Sequence, residues 1–252
     1  MTAEGLAVED RGRLRLVWLD RPRRRNALSV AMITGLRETL EAAMAGPDID
    51  GVVVLGRGPH FSAGVDLTAM ARADEAEILR LITALRDLCA TARRGPLPVV
   101  AAVQGGCVGG AFELAMAADL RVASADAWFA LPEVRVGMPS VIDAALLVHH
   151  VGLGRARELL LTGDRLDARR ALDWGLVTVL VDDPEELVEA AAGLVARVAV
   201  NDRAAVAAQK ALIEEWLNLG LDEAIERSTG ALGRAFATGV PQRLCAHRLR
   251  PT

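Results

Sequence analysis

Residues 97–103 are apolar throughout, and the β-branched Val99, Val100 and Val103 favour extended backbone, a pattern that predicts a strand buried on both faces. Pro98 falls near its beginning, where the missing ladder donor costs little. Four glycines follow within six positions, Gly105, Gly106, Gly109 and Gly110, and residues 111–118 then read as an amphipathic helix. The same succession is predicted upstream. Residues 51–55 are a Val-rich buried strand closed by Gly56-Arg57-Gly58-Pro59, and a turn at 60–67 carries Gly64. Ile78, Leu81, Ile82, Leu85, Leu88 and Cys89 then mark one face of a helix. Strand, glycine-bearing turn and helix therefore occur twice, over 51–90 and 97–118.

The flanks are simpler. Residues 6–9 and 14–19 predict two short strands joined through Asp10-Arg11-Gly12 as a hairpin. A turn at 20–28 carries Arg21, Arg23, Arg24 and Arg25, and Ser29 caps a helix with Ile33, Leu36, Leu40 and Ala43 on one face. Beyond Asp119, short strands are predicted at 120–123 and 128–130, a loop at 131–140, helix at 142–151 and a last strand at 177–181. Asp183-Pro184 starts a run of helices at 185–199, 203–218 and 222–237, with Gly220 separating the last two. No linker divides the chain, so the expectation is an α/β core over 1–182 and a helical C-terminal region over 183–252.

The glycine turn at 105–110 is where chemistry is expected. A glycine-rich turn entering a helix brings unpaired N–H groups and the positive end of the helix dipole to one point, which attracts anionic oxygen. Gly110-Ala111-Phe112 lacks the Lys-Ser/Thr of a P-loop, and Gly105-Gly106-Cys107-Val108-Gly109-Gly110 does not have the G-x-G-x-x-G spacing of a dinucleotide site. Glu113 remains, one turn into the helix among Phe112, Leu114 and Met116. It is either a solvated or capping acid, or a desolvated acid beside the glycine amides.

Bulk properties narrow the field. With 252 residues and 52% hydrophobic content the chain can bury a large core, and a net charge of −4 argues against a general nucleic-acid binder. No run approaches the ~18 apolar residues of a membrane span, and the polar start is unlike a secretory signal. Cys89, Cys107 and Cys245 are scattered without C-x-x-C spacing, as expected of reduced thiols in a cytoplasmic protein, and no metal site is expected. The chain has no tyrosine, which excludes mechanisms built on a tyrosine acid.

Arg21-Pro22 with Asn26-Ala27-Leu28, Phe61-Ser62-Ala63-Gly64-Val65-Asp66, Gln104-Gly105 through Gly109-Gly110-Ala111-Phe112-Glu113-Leu114, and Pro132-Glu133-Val134 with Gly137 and Pro139 occur in one order. Leu161-Thr162-Gly163 and Ala171-Leu172-Asp173-Trp174-Gly175-Leu176-Val177 continue it. In that order and spacing the chain, from about Leu14 to about Thr238, resembles the enoyl-CoA hydratase/isomerase (crotonase) superfamily. The resemblance implies an α/β spiral of ββα turns whose C-terminal helices pack a homotrimer or homohexamer, acting on an acyl-CoA thioester. Coenzyme A would be part of the substrate and no separate cofactor is implied. The thioester carbonyl oxygen would sit between the amides of Val65 and Gly110. The two glutamates of hydratases match Glu113, assigned to water activation, and Glu133, assigned to proton delivery at Cα. Arg23, Arg24 and Arg25 match the region that holds the adenosine part of CoA, and Lys210 matches a lysine that reaches its phosphate. Ala27, Ala63, Leu67 and Gly109 fall in the substrate-binding stretches, and Asp66 either caps the next helix or borders the acyl pocket.

Within the same resemblance, double-bond isomerisation, thioester hydrolysis or a non-catalytic CoA-binding role stand as alternatives to hydration. A serine protease of similar topology would need Ser62 or Ser140 as nucleophile, and neither lies in G-x-S-x-G. Two departures stand out. After Pro139 the chain reads Ser140-Val141-Ile142-Asp143 where the superfamily usually has glycines, so Asp143 is a candidate third acid or an ion-pair partner of an arginine such as Arg135. Residues 239–252 lack the usual closing-helix pattern.

Overall fold

A computed structural model describes residues 4–249; Met1–Ala3 and Arg250–Thr252, parts of the terminal segments read above, lie outside the described residues. Strands β1 (Leu6–Arg11) and β2 (Leu14–Leu19) form the expected hairpin, and helix α1 (Val30–Ala45) begins where the Ser29 hydroxyl accepts from the Met32 amide. Strand β3 (Gly51–Gly56), the short helix α2 (Leu67–Met70) and helix α3 (Glu75–Arg94) make the first strand–turn–helix unit. Strands β4 (Val99–Val103) and β5 (Gly106–Val108) and helix α4 (Gly110–Ala117) make the second. Strands β6 (Leu120–Ser124) and β7 (Trp128–Ala130) follow, then the 3₁₀ turns Glu133–Val136 and Ile142–Leu146. Next come α5 (Leu147–Val151), α6 (Leu153–Thr162), β8 (Leu166–Asp167), α7 (Ala168–Asp173) and β9 (Val179–Val181). Helices α8 (Leu187–Ala199), α9 (Arg203–Trp216), α10 (Leu221–Ala237) and α11 (Val240–Arg248) close the chain.

The strands form a six-stranded sheet in the order β1-β2-β3-β4-β6-β9, parallel from β2 onward, and a small second sheet β5-β7-β8. Strands β3 and β4 are buried on both faces, as their unbroken apolar runs require. One face, with Val52, Val54, Val99 and Ala101, packs into the main core with α1, α3 and α4. The other, with Val53, Leu55, Val100 and Ala102, lies under Leu187, Ala191, Leu194 and Val195 of α8. Among the described residues no helix is long and apolar enough to cross a membrane.

Three expectations need correction. Residues 106–108 are not turn but strand, pairing in parallel with β7. The helix after them is not amphipathic: every residue from Gly110 to Ala117 is buried, Glu113 included. The 239–252 segment does contain a closing helix, α11, entered through Gly239 in the left-handed region with Pro241 in its first turn.

Lys210 also departs from its expected place at a CoA phosphate. It is 8% exposed, and its ammonium donates to Asp119 Oδ2 at 2.6 Å and to the carbonyls of Leu97 at 2.7 Å and Ala92 at 3.2 Å. These three acceptors use all three of its N–H donors. The same Asp119 oxygen accepts from the Val99 amide at 2.7 Å, so the pair anchors the start of the central strand. Beside it the buried Arg121 guanidinium donates to the carbonyls of Ala115 and Ala118, closing the C-terminal end of α4. Removing one partner of a buried pair leaves the other charge uncompensated, so Lys210→Ala is expected to lower the urea-unfolding free energy by about 3 kcal/mol. Adding Asp119→Asn should recover a large part of that loss.

Candidate active site

The site starts from pairing. Because β3 and β4 run parallel, the chain leaves both at the same edge of the sheet, and each exit is a glycine turn. The two turns are bonded to each other: the Phe61 amide donates to the Gln104 carbonyl at 2.8 Å and the Ser62 amide to Gly106 at 3.0 Å. In return the Val108 amide donates to Ser62 at 3.1 Å. Asn26 sits below them, wholly buried, with a left-handed φ of 53° that asparagine tolerates better than most residues. Its Nδ2 donates to the carbonyls of Arg57 (3.0 Å), His60 (2.9 Å) and Phe61 (3.1 Å), and its Oδ1 accepts from the Arg21 amide at 2.9 Å. The Ser62 hydroxyl donates to the Asn26 carbonyl at 2.8 Å and accepts from the Gly64 amide at 3.1 Å. Ser62 is thus committed to holding the turn, and the serine-nucleophile alternative loses this candidate.

Gly64 has a φ of +80°, and a Cβ there would stand 2.4 Å from the Val108 carbonyl oxygen and 3.4 Å from the Gly110 nitrogen. Only glycine lets the turns approach so closely. Among the described residues neither the Val65 amide nor the Gly110 amide donates to a protein acceptor; the latter is the first residue of α4, where no intrahelical acceptor exists. Two free N–H groups, one backed by a helix dipole, therefore face the same space, an arrangement suited to an oxygen that gains negative charge.

That space is a cavity of about 430 Å³. Ala63, Val65, Leu67, Gly109, Gly110, Glu113 and Glu133 line it, so seven of the residues singled out in the sequence converge there. Much of the remaining wall is apolar: Met70 of α2, Ile78, Ile82 and Leu85 of α3, and Val136, Met138 and Val141 from the following loop. Glu113 is 4% exposed. Burial first, then the charges of Glu133 and Asp143, push its carboxyl up to about 8, against the pull of the Val141 and Ala144 backbone amides. Glu133 is half-buried, its Oε2 accepts from the Ser140 hydroxyl at 2.7 Å, and its Oε1 would lie 2.7 Å from a Cβ placed on Gly109. With a φ of +56° as well, Gly109 admits no side chain where the carboxylate and the helix start meet.

Other candidates lie outside the cavity. Arg23, Arg24 and Arg25 are exposed on the turn beside it, where the Ala63 amide donates to the Arg25 carbonyl at 2.9 Å. Ala27 is buried, its carbonyl accepting from Arg21 at 3.0 Å, and Asp66 caps α2 by accepting from the Thr68 amide at 2.9 Å. Lys210 is spent on Asp119, as described. Asp143 is 4% exposed and pairs with Arg93 of α3, not with Arg135, which pairs with Asp164. Among the described residues no cluster of His, Cys, Asp and Glu is placed to hold a metal ion.

Sequence reasoning used Asn26 only as a motif member and missed the Ser140–Glu133 bond and Arg93. A lone polar residue closing an arginine-rich turn was the one visible signal for Asn26; the other two depend on long-range approach.

Because the folded state holds the Glu113 proton more tightly than an unfolded chain, the stability this group contributes is full below its ordinary value near 4.5 and is lost as pH rises through about 8. Glu113→Gln removes that titration. Its unfolding free energy, measured in urea, should gain on the wild-type value steadily between pH 5 and pH 8.5. A difference independent of pH would show that the carboxyl is not desolvated.

Comparison with known proteins finds relatives along most of the chain. Residues 9–242 match the family model described as "Enoyl-CoA hydratase/isomerase". A crotonyl-CoA hydratase of Syntrophomonas wolfei is 31% identical over 94% of this chain and 92% of its own. The mitochondrial Delta(3,5)-Delta(2,4)-dienoyl-CoA isomerase of Rattus norvegicus is 31% identical over 83% of this chain and 68% of its own. The crystal structure of an enoyl-CoA hydratase from Mycobacterium smegmatis superposes with a TM-score of 0.88 at 29% identity, over 98% of each chain.

Proposed function

The chain belongs to the enoyl-CoA hydratase/isomerase family, and on that footing we propose that it adds water across the α,β double bond of an acyl-CoA thioester. The observation that carries this reading is the placement of two carboxyl groups, Glu113 and Glu133, on one cavity beside the two free amides of Val65 and Gly110. Water addition at Cβ places enolate charge on the thioester oxygen. Fixed N–H groups meet that charge without reorganising, and one such donor is worth roughly 3–4 kcal/mol in the transition state. A water held between the carboxyls gives a proton to Glu113 as its oxygen attacks Cβ, and Glu133 delivers a proton to Cα. The pair needs one ionised and one protonated member, and like-charge repulsion favours that division. The apolar wall from α2, α3 and the 136–141 loop takes the acyl chain, while the exposed Arg23, Arg24 and Arg25 lie on the side suited to CoA phosphates.

No cofactor beyond the CoA of the substrate enters this reading. A cytoplasmic homotrimer or homohexamer is part of it, supported by exposed apolar side chains on the C-terminal helices, including Trp216, Leu221, Ile225, Leu232 and Phe236.

Addition of the protein to crotonyl-CoA is expected to remove the conjugated-thioester absorbance and yield a product heavier by one water. Glu113→Gln and Glu133→Gln should each lower kcat by ~10²- to 10⁴-fold. With Glu113 as the base, kcat/KM rises with pH up to about 8; a fall over that range would exchange the roles of the two glutamates. Conversion of a 3-enoyl-CoA to its conjugated isomer, with no mass gain from either substrate, would assign isomerisation instead.

A further inference from the structure

Asp143 stands in the 3₁₀ turn Ile142–Leu146, off the cavity, yet that turn packs against both α3 and α4. Val141, at its head, lines the cavity together with Glu113, and the Ala144 amide donates to the Val141 carbonyl at 3.0 Å. Between them the chain passes through Ile142 at a φ of +42°. A β-branched residue in the left-handed region is a steric outlier that persists only where its surroundings over-determine it. What holds this one is visible. Asp143 pairs with the Arg93 guanidinium, whose Nε also donates to Glu214 Oε2 of α9 at 2.9 Å, and Arg94 donates to the other Glu214 oxygen at 2.9 Å. Asp143 is 4% exposed and Arg93 22%, so the pair is largely withdrawn from solvent. Cys89, one helical turn before Arg93, is fully buried, and burial with the charges of Asp143 and Glu113 pushes its thiol up.

We infer that Arg93 and Asp143 are positioning residues for Glu113: their buried ion pair pins the strained turn at 141–144 against helix α4, which carries the carboxyl. Through Glu214 the same pair ties helix α9 to the site. The inference rests on the reading that Glu113 is catalytic but is tested without turnover. The charged and titratable groups around Glu113 are Glu133 from the turn after β7, Asp143 from the turn at 142–146, and Cys89 with Arg93 from α3; Arg94 and Glu214 lie beyond. Of these, Arg93 is the cation that offsets Asp143. Loss of that cation favours the protonated form of both buried acids, Asp143 and Glu113.

The test is a substrate-free titration of full-length protein labelled with ¹³C at glutamate carboxyls, the Glu113 signal assigned by its loss in Glu113→Gln. In Arg93→Gln the midpoint should move upward by at least one pH unit, a tenfold or greater loss of ionised Glu113 at fixed pH. Arg93→Lys keeps the charge but not the two-sided bridge, and should fall between that variant and wild type. A wild-type midpoint in folded Arg93→Gln overturns the proposal; if that variant does not fold, a wild-type midpoint in Arg93→Lys does so. Absence of crotonyl-CoA hydration by the wild-type protein, with the Arg93 variants shifted as expected, would count against the reaction proposed above, not against this role.

Discussion

Two backbone amides, those of Val65 and Gly110, have to face one cavity while, among the described residues, no protein group accepts from them. Buried N–H groups are almost always satisfied, so the rest of the molecule is built to keep these two apart from any acceptor. Parallel β3 and β4 bring the turns to the same sheet edge, and Gly64 lets them approach until a Cβ would collide with the Val108 carbonyl. Asn26 satisfies three carbonyls that the sharp turn at 57–61 leaves over. The result is a donor pair on rigid backbone, which is what charge developing on a substrate oxygen requires.

The second constraint is electrostatic. Glu113, Glu133 and Asp143 crowd the interior side of this donor pair, and burying three acids together is tolerated only because each is dealt with differently. Glu113 keeps its proton over much of the pH range, Glu133 is partly solvated and bonded to Ser140, and Asp143 has a guanidinium of its own. The departure of residues 140–143 from a glycine-rich pattern is therefore connected: Ser140 supplies a donor to Glu133, and Asp143 reaches Arg93.

Much of this was legible in the sequence where the signal is local. The two Val-rich strands, the Gly64-bearing turn, the Ser29 cap and the helix face of Leu81, Leu85 and Leu88 follow from periodicity and turn chemistry, and the structure agrees with each. Half of the residues singled out for the site, including both glutamates and Val65 and Gly110, line the cavity. What local pattern could not supply was partnership across distance. Lys210 reads as an exposed helix lysine or a phosphate ligand until α9 is seen to seat it over Asp119, 91 positions away. Asp143 has several arginines within reach in sequence, and only the packing of α3 selects Arg93, 50 positions away. Strand β5 escaped notice because three residues between glycines carry no pattern of their own.

Helix α4 is enclosed along its whole length, with Arg121 closing one end and the glycine turns the other. The cavity's apolar wall, by contrast, is drawn from elements with much open surface, where Leu67 is 62%, Leu79 58% and Val136 58% exposed. The two parts answer to change in opposite ways. A substitution in α4 has no direction in which to relax and is felt at the amides, whereas one in the wall can be absorbed towards solvent. On the proposed reading, the length and branching of the acyl group accepted become adjustable by redesign of residues 67–82 and 136–141 alone, with the two amides left in place.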